Sequence, residues 1–220
     1  MGSNQTGLDP SLAGEAISTA VSCSNTVMEA VETGLKGILD SLKENWGTQD
    51  GKEWVEGDCT TEMNSISDQV AERLALIGKA IHSTATVDLS QTGNTQSVAS
   101  PGAINAKHVQ GELNDVLSNG FVGIFEELQT DAAAKGEELK TGVDAALGEL
   151  QTRVIAAVDA AFNKVGQADE VSAKCMEYIT QIQNIISKGL ESLNTQIASS
   201  TKNADTFVKS IQDAGLRSSN

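Results

Sequence analysis

Residues 10–43, PSLAGEAISTAVSCSNTVMEAVETGLKGILDSLK, decide the fold class. Asp9-Pro10 reads as a helix cap followed by proline at the first helical position, where its missing N–H is no loss. Ile17, Val21, Ser24, Val27, Val31, Leu35, Ile38 and Leu42 then recur in steps of three and four, the period of one helix face. At ~1.5 Å per residue this helix would be ~50 Å long, too long for a compact globule and suited to an elongated bundle. Residues 45–52, NWGTQDGK, place two glycines and an aspartate close together and break it. A second helix carries Trp54, Met63, Ile66, Val70, Leu74, Ile77 and Ile81 on the same spacing. Residues 10–82 therefore read as an antiparallel helical hairpin.

Outward from the hairpin, residues 1–9 read as a short disordered lead. Residues 83–102, STATVDLSQTGNTQSVASPG, are rich in Ser, Thr, Gln, Asn and Gly and read as a polar linker or long crossover. Ser100-Pro101 at its end is a second cap-and-proline pair and predicts a helix start. Residues 103–220 form a second helical segment. One stripe runs through Leu113, Leu117, Phe121, Ile124 and Leu128, and a longer one from Leu139 through Val143, Leu147, Leu150, Val154, Val158 and Ala161 to Val165. Val165 to Asp169 is a turn or kink. Ile179, Ile182, Ile186, Leu193 and Ile197 follow, then Phe207, Val208 and Ile211, with fraying from Leu216. Gly136, Gly142 and Gly148 sit in the Ala-rich helix of this half, where each glycine costs about 1 kcal/mol against Ala. They mark either close helix approach or weak demand for isolated helix stability.

The composition agrees with an all-α chain. Of 220 residues 39% are hydrophobic, enough for a core, while aromatics are only 3% and Pro appears twice. That balance disfavours sandwiches and barrels, which draw on aromatic and β-branched residues. The net charge of -15 repels phosphate backbones and argues against nucleic-acid binding. No apolar run approaches the ~20 residues of a spanning helix, so no stable membrane span is expected. The amino-terminal MGSNQTGLDP has neither the positive charge nor the apolar core of a secretory leader. It does fit the short myristoylation pattern through Gly2 and Thr6. Cys23, Cys59 and Cys175 are too few and too scattered for a disulfide framework and read as small thiols within helices.

Signatures of chemistry are absent from the sequence. His82 and His108 are preceded at three residues by Lys79 and Asn105, so the Glu-x-x-His pairs of di-iron bundles are missing. His82 falls at the end of the second predicted helix and His108 in the first turns of the next; both read as surface histidines. Gly51-Lys52 and Gly78-Lys79 lack the Ser or Thr of a phosphate loop. Glu126-Glu127 and Glu137-Glu138 are adjacent on a helix and point about 100° apart, so neither pair faces one site. No catalytic residue, cofactor or metal ligand is expected, and no enzymatic activity.

One local feature rises above this background. Trp46-Gly47 lies at the hairpin tip, and Trp54 follows it at the start of the second helix. The stretch 42–81, LKENWGTQDGKEWVEGDCTTEMNSISDQVAERLALIGKAI, resembles the WXG family of small secreted helical hairpins, the substrates of type VII secretion. In that family a Trp-x-Gly turn joins two long helices and an aromatic often opens the second. Position 48 here is Thr where the family has Gly, and no Tyr-x-x-x-Asp/Glu signal follows the second helix; the one tyrosine is Tyr178. The likeness covers roughly residues 12–85. It implies a non-enzymatic protein, secreted or surface-exposed, with Trp46, Gly47 and Trp54 as partner-binding residues. Without the resemblance, a tryptophan followed by glycine at a bundle end closes a core and ends a helix.

The reading is an all-α chain, an elongated bundle of four or five long helices, with two helical hairpins in tandem as one arrangement. Its stripes need partners within the chain or in a second copy, and the expected function is helix–helix association with itself or a protein partner. The alternative is a structural subunit of a phage virion or injection-type assembly. A pore-forming toxin would need an apolar hairpin, and residues 130–165 carry too many charges for one. The hairpin makes a prediction for the thiols. With the turn near residue 49, Cys23 and Cys59 are offset by ~24 Å along the bundle at ~1.5 Å per residue, whereas a disulfide needs Cα atoms within ~7 Å. A non-reducing peptide map should therefore show no Cys23–Cys59 peptide, and its presence would break the hairpin register.

Overall fold

The computed structural model describes residues 7–45, 53–111 and 125–217. They form four long helices, α1 Pro10–Asn45, α2 Thr60–Gln91, α3 Phe125–Phe162 and α4 Ala168–Arg217. A π-helical turn, Val55–Cys59, leads into α2, and a 3-10 turn, Asn163–Val165, ends α3. Among the described residues there is no strand.

Each helix forms because its apolar positions keep to one face. In α4 the buried positions are Ala168, Val171, Cys175, Ile179, Ile182, Ile186, Leu190, Leu193, Ile197 and Thr201. The steps are 3-4-4 repeated. The same rhythm runs through Leu139, Val143, Leu147, Leu150, Val154, Val158 and Ala161 in α3, and through Ile66, Val70, Leu74, Ile77, Ile81 and Ala85 in α2. It also runs through Ser24, Val27, Val31, Leu35, Ile38 and Leu42 in α1. An eleven-residue repeat corresponds to about 3.67 residues per turn, close to the natural ~3.6, so the stripe drifts slowly and in the opposite hand to a heptad coiled coil. A long helix such as α4 can then keep one face on its neighbours from Ala168 to Thr201.

The stripes are buried against one another inside the chain. α1 packs on α2 and α3, and α4 packs on the same two, giving a ring in the order α1–α2–α4–α3. Gly34 faces Leu139 and Gly37 faces Lys135, so α1 and α3 are antiparallel. Ile66 faces Gly189, and Trp54 to Glu62 face Gln196 to Ser200, so α2 and α4 are antiparallel. Gly136 meets Leu190 and Asp144 accepts from Gln183 at 3.2 Å, which makes α3 and α4 antiparallel as well. The order is up, down, down, up.

The turns follow local rules. The Asp9 carboxylate accepts from the Ser11 N–H at 2.9 Å and Pro10 opens α1. α2 ends where Gly93 takes φ 68° and the Asn94 N–H reaches back to the Leu89 carbonyl at 3.0 Å. Gly166, φ 71°, closes α3 in the same way, with the Gln167 N–H on the Phe162 carbonyl at 3.3 Å. The turn expected at 165–169 is thus the joint between α3 and α4.

Three boundaries differ from the sequence reading. Leu8, placed in a disordered lead, is buried, and its N–H donates to the buried Asp88 carboxylate at 3.4 Å. Residues 83–91, placed in the polar linker, are the last turns of α2. Ala85 and Leu89 continue the stripe from Ile81, and the Thr84 and Thr86 hydroxyls are absorbed by the carbonyls of Ala80 and His82 one turn back. Ser100-Pro101 does not start a helix; residues 94–111 have no regular secondary structure. The stripe from Leu113 to Ile124 lies outside the described residues. The three cysteines are free and buried.

Two glycines at one level of the bundle set the helix spacing. A β-carbon at position 34 would lie 2.5 Å from both Cβ and Cγ of Leu139, and one at position 189 would lie 2.5 Å from Cδ1 of Ile66. Leu139 Cβ cannot move without its helix, so overpacking there outweighs the ~1 kcal/mol helix gain of Ala over Gly. Gly142 and Gly148 have open space around them. Gly34→Ala should lower stability by ~1–2 kcal/mol, while Gly142→Ala should raise it by ~0.5–1 kcal/mol. Paired thermal melts of the two variants test the assignment, and a Gly34→Ala protein more stable than wild type would overturn the packing.

Candidate functional site

The hairpin end that carries the tryptophans is the first candidate. Trp46 and Gly47 lie outside the described residues. Trp54 opens the second helix, half-buried and packed on the core. Just after it the chain makes the π-helical turn, in which the Thr60 hydroxyl donates to the Val55 carbonyl at 2.5 Å. π turns accommodate one extra residue and often accompany functional sites. Here the turn leaves Trp54 as one wall of an open cleft of about 440 Å³ between α2 and α4, completed by Asp58, Thr61, Glu62, Gln196, Ser199 and Ser200. One aromatic ring, two carboxylates, three hydroxyls and one amide make a surface suited to another polar protein surface.

Cys59 sits in the same turn with its side chain wholly inside. Burial, helped by the charge of Glu62, pushes its thiol up to about 12 from 9.0, and burial pushes Cys175 up to about 11. A raised pKa means the fold holds the neutral thiol. The stabilisation is complete below about pH 9 and is lost as pH rises from there through the folded values.

The second candidate is a strap. Residues 94–111 run extended along the seam between α1 and α2, from the level of His82 back to the π turn. The physical need is clear from the helix order. α2 and α3 run the same way, so the chain must return the length of the bundle between them. From His82 to Val55 along α2 is ~40 Å at ~1.5 Å per residue, and the strap covers it from Val98 to Gly111 at ~3.3 Å per residue.

Side chains of α2 grip the strap by its backbone. Asn64 accepts from the Val109 N–H at 2.8 Å and donates to the Val109 carbonyl at 3.2 Å. Ser67, fully buried, accepts from the Lys107 N–H at 2.9 Å and donates to the Lys107 carbonyl at 2.8 Å. His82 Nε2 donates to the Val98 carbonyl at 3.2 Å. His108 pairs with Asp68 at 2.8 Å and Lys107 with Glu32 of α1 at 3.6 Å. Val98 and Val109 are buried beneath. Glycines let the backbones meet: a β-carbon at Gly78 would touch Pro101 at 2.9 Å, and one at Gly111 would lie 2.9 Å from the Val55 carbonyl oxygen.

Both histidines, read as helix-surface residues, thus fasten the strap; His82 lies in mid-helix and His108 on extended chain. Sequence reasoning missed Asn64, Ser67 and Asp68. The available signal was Ser67 on the apolar stripe of α2, since a buried hydroxyl implies a polar partner. Among the described residues no group of three His, Cys, Asp or Glu side chains could hold a metal ion, and no helix is long and apolar enough to cross a membrane. Comparison with protein-family models, curated proteins and solved structures gives no match to this chain.

The buried thiols give a direct check. At pH 8.5 a thiol reagent should label Cys59 and Cys175 far more slowly in the native chain than in denaturant, mapped by mass spectrometry. Labelling of Cys59 at the rate of a free thiol would contradict its burial in the π turn.

Proposed function

We propose that the chain is a non-enzymatic helical interaction protein, resembling WXG-type secreted proteins, that works by association with itself or with a helical partner. The long apolar stripes already satisfy one another within the bundle. Association therefore falls to surfaces outside them, and the tryptophan end is the strongest of these. The observation that supports it most is the cleft walled by Trp54 between α2 and α4, at the end where the resemblance puts the partner-binding residues Trp46, Gly47 and Trp54. Tryptophan is over-represented among residues that carry binding energy, because it buries a large rigid surface and keeps a polar tip. The same reading carries a secreted or surface location.

Sedimentation velocity over a concentration series, with partner capture in parallel, tests the proposal on the full chain. Wild type should self-associate or hold a helical partner. Trp46→Ala should weaken that contact by ~2 kcal/mol while leaving the melting temperature of the isolated chain almost unchanged. A loss of ~3–5 kcal/mol in stability without a binding defect would instead make Trp46 a core residue. A monomer at every concentration with no captured partner would remove the reading.

A further inference from the structure

The strap is fastened in an unusual way. Two side chains one turn apart on α2, Asn64 and Ser67, take both backbone polar groups of Val109 and of Lys107, alternate residues of an extended chain. They do for the strap what a neighbouring strand does in a sheet, and they read main chain rather than side chains. The rest of the recognition is small and basic. Residues 94–111, NTQSVASPGAINAKHVQG, contain no Asp or Glu and no Phe, Trp or Tyr in a chain of net charge -15. Lys107 and His108 meet Glu32 and Asp68.

Two observations make this strap separable from the bundle. The stripes of α1 to α4 are buried mainly against one another, and the strap adds Val98 and Val109 at the edge of that core. The strap buries fully only the side chains of Val98 and Val109; Ile104 and Ala106 are half-buried against the core, whereas Ser97, Asn105, Lys107 and Gln110 stay exposed. Segments with few buried contacts open first and without global unfolding.

We propose that the α1/α2 seam is a receptor groove for one extended strand, that residues 95–111 leave it as a unit, and that the same groove then accepts residues 95–111 of a second copy of the chain. Strand exchange of this kind would join copies without disturbing either bundle. It uses a different face from the tryptophan cleft, so it stands or falls independently of that reading.

The probe is a labelled synthetic peptide of residues 95–111, titrated with the full-length chain by fluorescence anisotropy. In wild type the groove is filled in cis, which lowers apparent affinity by the fraction open. A chain weakened on its own strap, Lys107→Glu with Val109→Asp, should bind the peptide at least about tenfold more tightly than wild type. Asn64→Ala with Ser67→Ala, which removes the groove's grip, should abolish binding. Equal binding by all three chains, or none by the strap-weakened chain, would overturn the proposal. Native-state hydrogen exchange on wild type keeps the test independent of any variant's folding. The Lys107 and Val109 amides should exchange through an opening that leaves the Leu74 and Val154 amides protected; exchange of all four only together, by global unfolding, would refute release.

Discussion

Four apolar stripes of matching 3-4-4 rhythm have to be covered, and they are covered by one another inside a single chain. Everything else in the architecture follows from that burial. The rhythm keeps the stripe on one face of α4 from Ala168 to Thr201. A strict heptad stripe of that length would demand a left-handed supercoil, whereas an eleven-residue repeat coils gently the other way. The core is correspondingly uniform, mostly Leu, Ile, Val and Ala, and aromatic anchors are few. Surface pairs such as Lys174 with Glu170 and Arg153 with Glu149 follow the helix spacing at i,i+4 and decorate the outside.

The up-down-down-up order has a cost in chain length, and the strap meets it. Two hairpins packed in this order cannot be joined by a tight turn, because α2 finishes at the far end from where α3 begins. An extended segment lying free over the surface would leave its backbone to water. Here Asn64, Ser67 and His82 supply partners instead, and Gly78 and Gly111 allow close approach. The polar residues on α2 that look out of place beside an apolar stripe are explained by the strap, and both histidines of the chain are engaged in the same task.

The strap and the cleft differ in what they offer. The cleft joins an aromatic ring to acidic and hydroxyl groups at one end of the bundle, and partner binding there is our proposal. The groove under the strap reads main-chain groups along its length, and the strap's sequence is complementary in charge to the acidic helices. Both are surfaces of association, and each depends on helices whose positions the core has already settled.

The helical class, the end of α1 near residue 45, the Asp9-Pro10 start and the turn around Gly166 were all legible in the sequence. Each rests on local chemistry: periodicity, a capping carboxylate, a glycine free to take positive φ. The continuation of α2 to Gln91 was legible too, in Ile81, Ala85 and Leu89, but Ser and Thr masked it because their hydroxyls serve helices and loops alike. What the tertiary structure alone decided is which stripe meets which, the ring order, and the level at which Gly34 receives Leu139 and Gly189 receives Ile66. Equally undetermined was the path of residues 94–111, for an extended segment has no period of its own. Its conformation comes from Asn64 and Ser67, which lie 45 and 40 residues before the groups they hold. Contacts at that distance leave no local pattern to read.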